Sequence, residues 1–132
     1  MGYNLLMRVL AVVVLLGLLS ACQSNQQQCT VIRVVGVTQG FKVANTDSPN
    51  ATIKKGGCIE FVYDDETGAT HLVQSKPGTP KELGFSTYSM GFKGYKERIV
   101  FNIAGEIEYI CSIQDVNGSH AKTMNGIITV QP

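Results

Sequence analysis

The chain has 132 residues, 11 basic and 10 acidic side chains and a formal charge of +1. That near-neutral balance gives no support for nucleic-acid binding, which usually shows a basic stripe or a known motif. The length allows one domain large enough to bury its own core, once a leader has been set aside.

Residues 5–19 are almost wholly apolar, carry Arg8 just inside a short start, and end in small residues before a cysteine. This is the pattern of a secretion signal, too short for the roughly 20 apolar residues of a spanning helix. The boundary Leu19, Ser20, Ala21, Cys22 resembles the lipobox of bacterial lipoproteins, with a plain signal peptide as the simpler alternative. The resemblance implies a signal peptide over 1–21 and a lipid-bearing Cys22 as the first mature residue. Two or more acyl chains give stable membrane anchoring. Without residues 1–21 the chain holds 10 basic and 10 acidic groups.

Residues 23–28, reading QSNQQQ, have no apolar periodicity and are expected to form a flexible tether, so that 22–28 links the anchor to a domain over 29–132. Short runs rich in Val, Ile, Phe, Tyr and Thr follow at 31–37, 58–63, 72–74, 98–103, 107–111 and 127–130. Each is bounded by Gly, Asn, Asp or Pro. They predict short strands, hence an all-β sandwich or barrel. Within the strand before Cys111, Ile107, Tyr109 and Cys111 alternate with Glu106, Glu108 and Ile110, which points the cysteine into the core. Little helix is expected beyond a turn somewhere in 78–96. That glycine-rich segment with Phe85, Tyr88, Phe92 and Tyr95 reads either as a loop pinned by its aromatics or as a flap.

In an oxidising compartment paired cysteines bridge, and an odd one needs another role. With Cys22 assigned to lipid, three remain. Cys29 and Cys58 each open a predicted strand, and their bridge would staple the start of the domain to its sheet, although Cys29 with Cys111 is also open. Cys111, His120 and Met124 lie in that order in one strand-to-strand loop, and His71, the other histidine, stands beside a predicted strand. A thiolate, two imidazoles and a thioether are the ligand set of a blue-copper electron-transfer site. Taken singly, His71 or His120 would be an ordinary histidine, Met124 a core filler and Cys111 a buried thiol. One Cys, two His and one Met make a poor structural zinc set.

The segments AGEIEYIC and HAKTMNGIITV resemble the strand entering and the strand leaving the copper loop of the cupredoxin family, most nearly the azurins. The resemblance covers nearly all of 29–132 and implies a Greek-key β-sandwich with one type 1 copper. Position by position it makes His71, Cys111 and His120 the main ligands, Met124 the axial ligand, and Cys29 with Cys58 the disulfide near the amino terminus. It also places His120 near the surface as the electron port, beside the small residues Gly118, Ser119 and Ala121. Two departures stand out. QDVNGS enlarges the loop between Cys111 and His120, suggesting an open, strained or spectroscopically unusual site. Leu72 stands where many members have an asparagine that ties the two ligand segments together.

The function expected from this is electron transfer, not enzymatic catalysis, since no nucleophilic triad or phosphate-binding loop is present. The implied partners are redox proteins such as cytochromes or copper oxidases and reductases, met by a monomer lipid-anchored to a membrane on the periplasmic side of a bacterial envelope. A copper-delivery lipoprotein and a copper-free binding module are the alternatives. Asp64, Asp65 and Glu66 read as a solvated turn, or as charge that steers a basic partner. The glycosylation-like patterns at 50–52 and 117–119 read as accidental.

Overall fold

A computed structural model describes residues 26–132. The expected signal peptide, the expected lipid-bearing Cys22 and most of the expected tether lie outside the described residues. No helix among the described residues is long and apolar enough to cross a membrane.

Among the described residues ten strands run β1 (Thr30–Gly36), β2 (Gly40–Val43), β3 (Ala51–Lys54), β4 (Cys58–Tyr63), β5 (Val73–Ser75), β6 (Lys96–Val100), β7 (Gly105–Cys111), β8 (Gln114–Asp115), β9 (Gly118–Ser119) and β10 (Asn125–Gln131). One sheet has the order β2-β1-β4-β6, the other β3-β10-β7-β5, and β8 with β9 forms a separate small hairpin. The chain passes repeatedly from one sheet to the other, which allows two parallel pairings, β1 with β4 and β3 with β10. Among the described residues the helix content is confined to single 3-10 turns at Lys81–Leu83, within the expected segment, and at His120–Lys122, which was not expected.

Period-two patterning builds the core. Ile32 and Val34 of β1, Ile59, Phe61 and Tyr63 of β4, Ile107, Tyr109 and Cys111 of β7, and Ile128 and Val130 of β10 all point inward and are buried. Aromatic rings bridge the layers: Phe41 packs on Tyr109 at 4.8 Å between centroids, Tyr109 on Phe61 at 6.1 Å, Phe61 on Phe85 at 5.6 Å, and Phe85 on Phe101 edge-on at 5.4 Å. Each such pair contributes about 0.5–1.5 kcal/mol beyond its buried area.

The strand over 58–63 is found as read, while those at 31–37 and 72–74 each lie one residue out of place. The run expected at 98–103 instead pairs over Lys96–Val100, because Phe101 leaves the ladder to bond Gly57 across the β3–β4 turn. β2 and β3 had no counterpart in the sequence reading. They have four residues each, and their pairing with β1 and β10 supplies the backbone partners that so short an alternation does not announce. At the amino-terminal end, Gln27 of the expected tether is already held. Its side chain donates to the Gly56 carbonyl at 3.1 Å, and its own carbonyl accepts from Arg98 at 2.9 Å.

Gly126 faces Tyr109 in the β7–β10 register. A Cβ there would stand 2.5 Å from the Pro49 carbonyl oxygen and 2.7 Å from Tyr109 Cε1, and that carbonyl accepts the hydrogen bond of the buried Tyr109 hydroxyl. Gly126→Ala is therefore expected to lower stability by about 1–3 kcal/mol, the usual cost of overpacking a filled core. A fall in the urea midpoint at unchanged slope would verify this, and an unchanged midpoint would contradict it.

Candidate metal centre

The register of β5 against β7 pairs Val73 with Cys111, which brings the residues just before β5 to the end of β7. His71 stands there in a two-bond bridge with Met90: the His71 N–H donates to the Met90 carbonyl and the Met90 N–H to the His71 carbonyl, both at 2.8 Å. The Ser112 N–H donates to the Leu72 carbonyl at 2.9 Å. Main chain thus joins the two segments where a side-chain amide was missed in the sequence.

His120 enters from the loop after β7. Its N–H donates to the Ile113 carbonyl at 3.0 Å, its carbonyl accepts from the Met124 N–H at 2.8 Å, and the Met124 carbonyl accepts from the Cys111 N–H at 3.0 Å. These bonds close the loop tightly around Cys111, and Met124 is fully buried within it. The surplus residues leave that ring between Ile113 and His120 as the β8–β9 hairpin, tipped by the fully exposed Val116. The enlargement is taken up outside the ring, so the expected opening of the site does not occur.

His71, Cys111 and His120 are all buried, and their donor atoms lie within 4.8 Å of one another. The Cys111 sulfur is 3.5 Å from His71 Nδ1 and 3.6 Å from His120 Nδ1. Two donors bonded to one first-row ion at roughly 2.0 and 2.3 Å, about 110–120° apart, stand about 3.5–3.7 Å from each other. The three side chains therefore fit a shared metal ion with little movement. Burial pushes the Cys111 thiol up from its ordinary value, so the metal-free cysteine is a neutral thiol, and a metal that binds the thiolate must displace its proton.

Each imidazole has a carboxylate on its far side. Asp65 Oδ2 lies 2.7 Å from His71 Nε2, and Asp115 Oδ2 lies 2.8 Å from His120 Nε2. An ionised carboxylate only accepts, so each Nε2 carries the proton and donates, leaving the Nδ1 lone pair free toward Cys111. Burial pushes His71 down, with the Asp65 bond acting against it. Burial would raise Asp65, but the bonds from His71 and Thr67 outweigh it and hold the acid below its usual range. The His120 bond lowers Asp115.

Two expectations are corrected here. His120 is only 1% exposed. The β8–β9 hairpin brings Asp115 onto the outer nitrogen of His120, so the ring edge is not a free surface port. The acidic run at 64–66 is not a simple solvated turn. Asp65 is buried against His71, Asp64 binds Lys93 at 2.7 Å and Arg33 at 3.1 Å, and Glu66 also binds Lys93. The segment 78–96 is pinned through Phe85, Met90 and the half-buried Tyr95, while Tyr88 and Phe92 face outward. Cys29 and Cys58 form a disulfide, and Cys111 is the free cysteine among the described residues.

No family model matches the chain, and no curated protein matches its sequence. Solved structures do match. A copper-containing nitrite reductase from Thermus scotoductus SA-01 is 27% identical over 80% of this chain with a TM-score of 0.61, and the chain spans only 23% of that protein. An oxidised amicyanin variant is 17% identical over 78% of this chain and 82% of its own, with a TM-score of 0.58. A purple cupredoxin from Nitrosopumilus maritimus is 21% identical over 77% of this chain and 99% of its own, with a TM-score of 0.53.

Proposed function

We propose, for a chain whose fold is that of the cupredoxins, that it carries single electrons through one type 1 copper held by His71, Cys111 and His120, with Met124 as axial ligand. The observation that carries this reading is the buried, mutually close set of one sulfur and two Nδ1 atoms. Copper bound there supplies a Cu(II)/Cu(I) couple. The sulfur donors suit the reduced ion and the imidazoles the oxidised one. Cys111 is fixed by the end of β7, His71 by its bridge to Met90, and His120 by the bonds that close the loop, so the donors keep their places whichever ion is held.

Burial of all three donors favours a retained ion over a delivered one, since a delivery site must present its ligands to the acceptor. In this reading the protein is not itself an enzyme. Residues 1–21 direct export, Cys22 carries the lipid, and the domain works as a monomer on the periplasmic face of a bacterial envelope membrane, meeting redox proteins such as cytochromes or copper oxidases and reductases. The resemblance of residues 5–22 to a lipoprotein signal supports that placement.

The test is the visible spectrum of the purified protein before and after one equivalent of Cu(II). An intense thiolate-to-copper band that bleaches on reduction is expected. A folded protein with a free Cys111 thiol and no band would leave the copper-free binding module standing.

A further inference from the structure

We infer that Asp65 and Asp115 are positioning residues of the centre, holding the Nε2–H of His71 and His120 so that both Nδ1 atoms face the ion and so that Cu(II) is favoured over Cu(I). The inference rests on the copper reading above.

The two carboxylates come from different parts of the chain yet are built alike. Asp65 lies in the connection between β4 and β5. Its Oδ1 accepts the Thr67 N–H and the Thr67 hydroxyl, both at 2.8 Å, which leaves Oδ2 for His71. Asp115 ends β8. Its Oδ1 accepts the Asn117 N–H at 2.8 Å, and its Oδ2 takes His120. In each, one oxygen is locked to the N–H two residues on and the other is committed to an imidazole, so the ring has one orientation and one tautomer. Asp65 is 3% exposed, and its space is made by another strand: a Cβ at Gly36, at the end of β1, would stand 2.7 Å from Asp65 Oδ2.

A carboxylate on the far nitrogen makes an imidazole a stronger donor, and removing such a partner typically weakens metal binding 10–100-fold. Its charge also acts on the ion directly and more strongly on the more highly charged one. Both effects favour Cu(II), so the carboxylates lower the reduction potential. A purely structural hydrogen bond would be served as well by a neutral amide.

The experiment is a redox titration of the copper-loaded full-length protein, with Asp115→Asn compared with Val116→Ala in the same hairpin. Tenfold weaker Cu(II) binding at unchanged Cu(I) binding is expected for Asp115→Asn, a rise of about 59 mV. Val116→Ala should leave the potential in place, and Asp65→Asn should shift it in the same direction as Asp115→Asn. Should the buried Asp65 variant not fold, the half-exposed Asp115 decides the matter. In the metal-free protein, nitrogen NMR of the wild type should show both rings protonated at Nε2, with His120 losing that single state in Asp115→Ala. A wild-type band with an Asp115→Asn potential no different from that of Val116→Ala would overturn the inference. A wild type without any thiolate band would overturn the copper reading beneath it, so the two failures are told apart.

Discussion

Cys111→Ser is expected to abolish the visible copper band and the ability to hold copper through a redox cycle, while leaving the metal-free fold nearly intact. Cys111 is the sulfur that both Nδ1 atoms face, and it sits on β7, the strand that pairs with β5 and β10. A serine hydroxyl does not ionise at accessible pH and is a poor partner for Cu(I), so the variant keeps two imidazoles suited to Cu(II) and loses the donor suited to the reduced ion. Some colourless or pale Cu(II) binding should remain, released quickly once a reductant and a Cu(I) chelator are added. The metal-free cost is about 1 kcal/mol or less, because the hydroxyl can bond an Nδ1 in the thiol's place. Two measurements check this: the spectrum, which should be empty in the thiolate region, and the urea midpoint, which should hardly move. A persistent band would mean that another sulfur binds the metal.

The part of the centre that was legible in the sequence is the part whose chemistry is carried by rare residue types. Two histidines, one cysteine left over after pairing and lipidation, and a methionine beyond the second histidine form a ligand set whatever the fold. The alternation through Ile107, Tyr109 and Cys111 fixed the cysteine's inward direction before any contact was known. The carboxylates were not legible. Asp64, Asp65 and Glu66 are three adjacent acids, and nothing local distinguishes the middle one as buried. Its burial depends on the absence of a side chain at Gly36, a residue far away in sequence that lies alongside only because β1 and β4 pair in parallel. Asp115 was equally hidden in a polar, glycine-containing insert whose folding back on His120 is a tertiary event.

The same logic explains why the surface port was misplaced. In the sequence, small residues on both sides of His120 suggest an accessible ring. In three dimensions the ring edge that would meet a partner is occupied by Asp115 from the hairpin. A partner approaching the His120 side therefore meets the hairpin, with Val116 at its tip, and not a bare imidazole edge.

Replacing the disulfide by Cys29→Ala with Cys58→Ala is expected to cost about 3–4 kcal/mol, the loop-entropy value for cysteines 29 residues apart, and to leave the copper spectrum of the folded protein unchanged. The bridge ties the residue before β1 to the first residue of β4, at the end where the parallel register begins with Thr30 opposite Ile59. The same two strands lead away from it, and only at their far ends do Gly36 and the connection bearing Asp65 meet. Five or six residues of strand span roughly 20 Å, too far for the sulfur bridge to touch the ligands. It acts on the unfolded chain and on the docking of β1, which otherwise begins a parallel pairing close to the tether. Paired substitution is the proper test, because a chemical reductant would also reduce the copper. Urea unfolding should show the lowered midpoint, and the band of the fraction still folded should match the wild type in position and intensity. A band that shifts in the variant would mean that the β1–β4 pairing transmits strain along its length to Asp65 and His71.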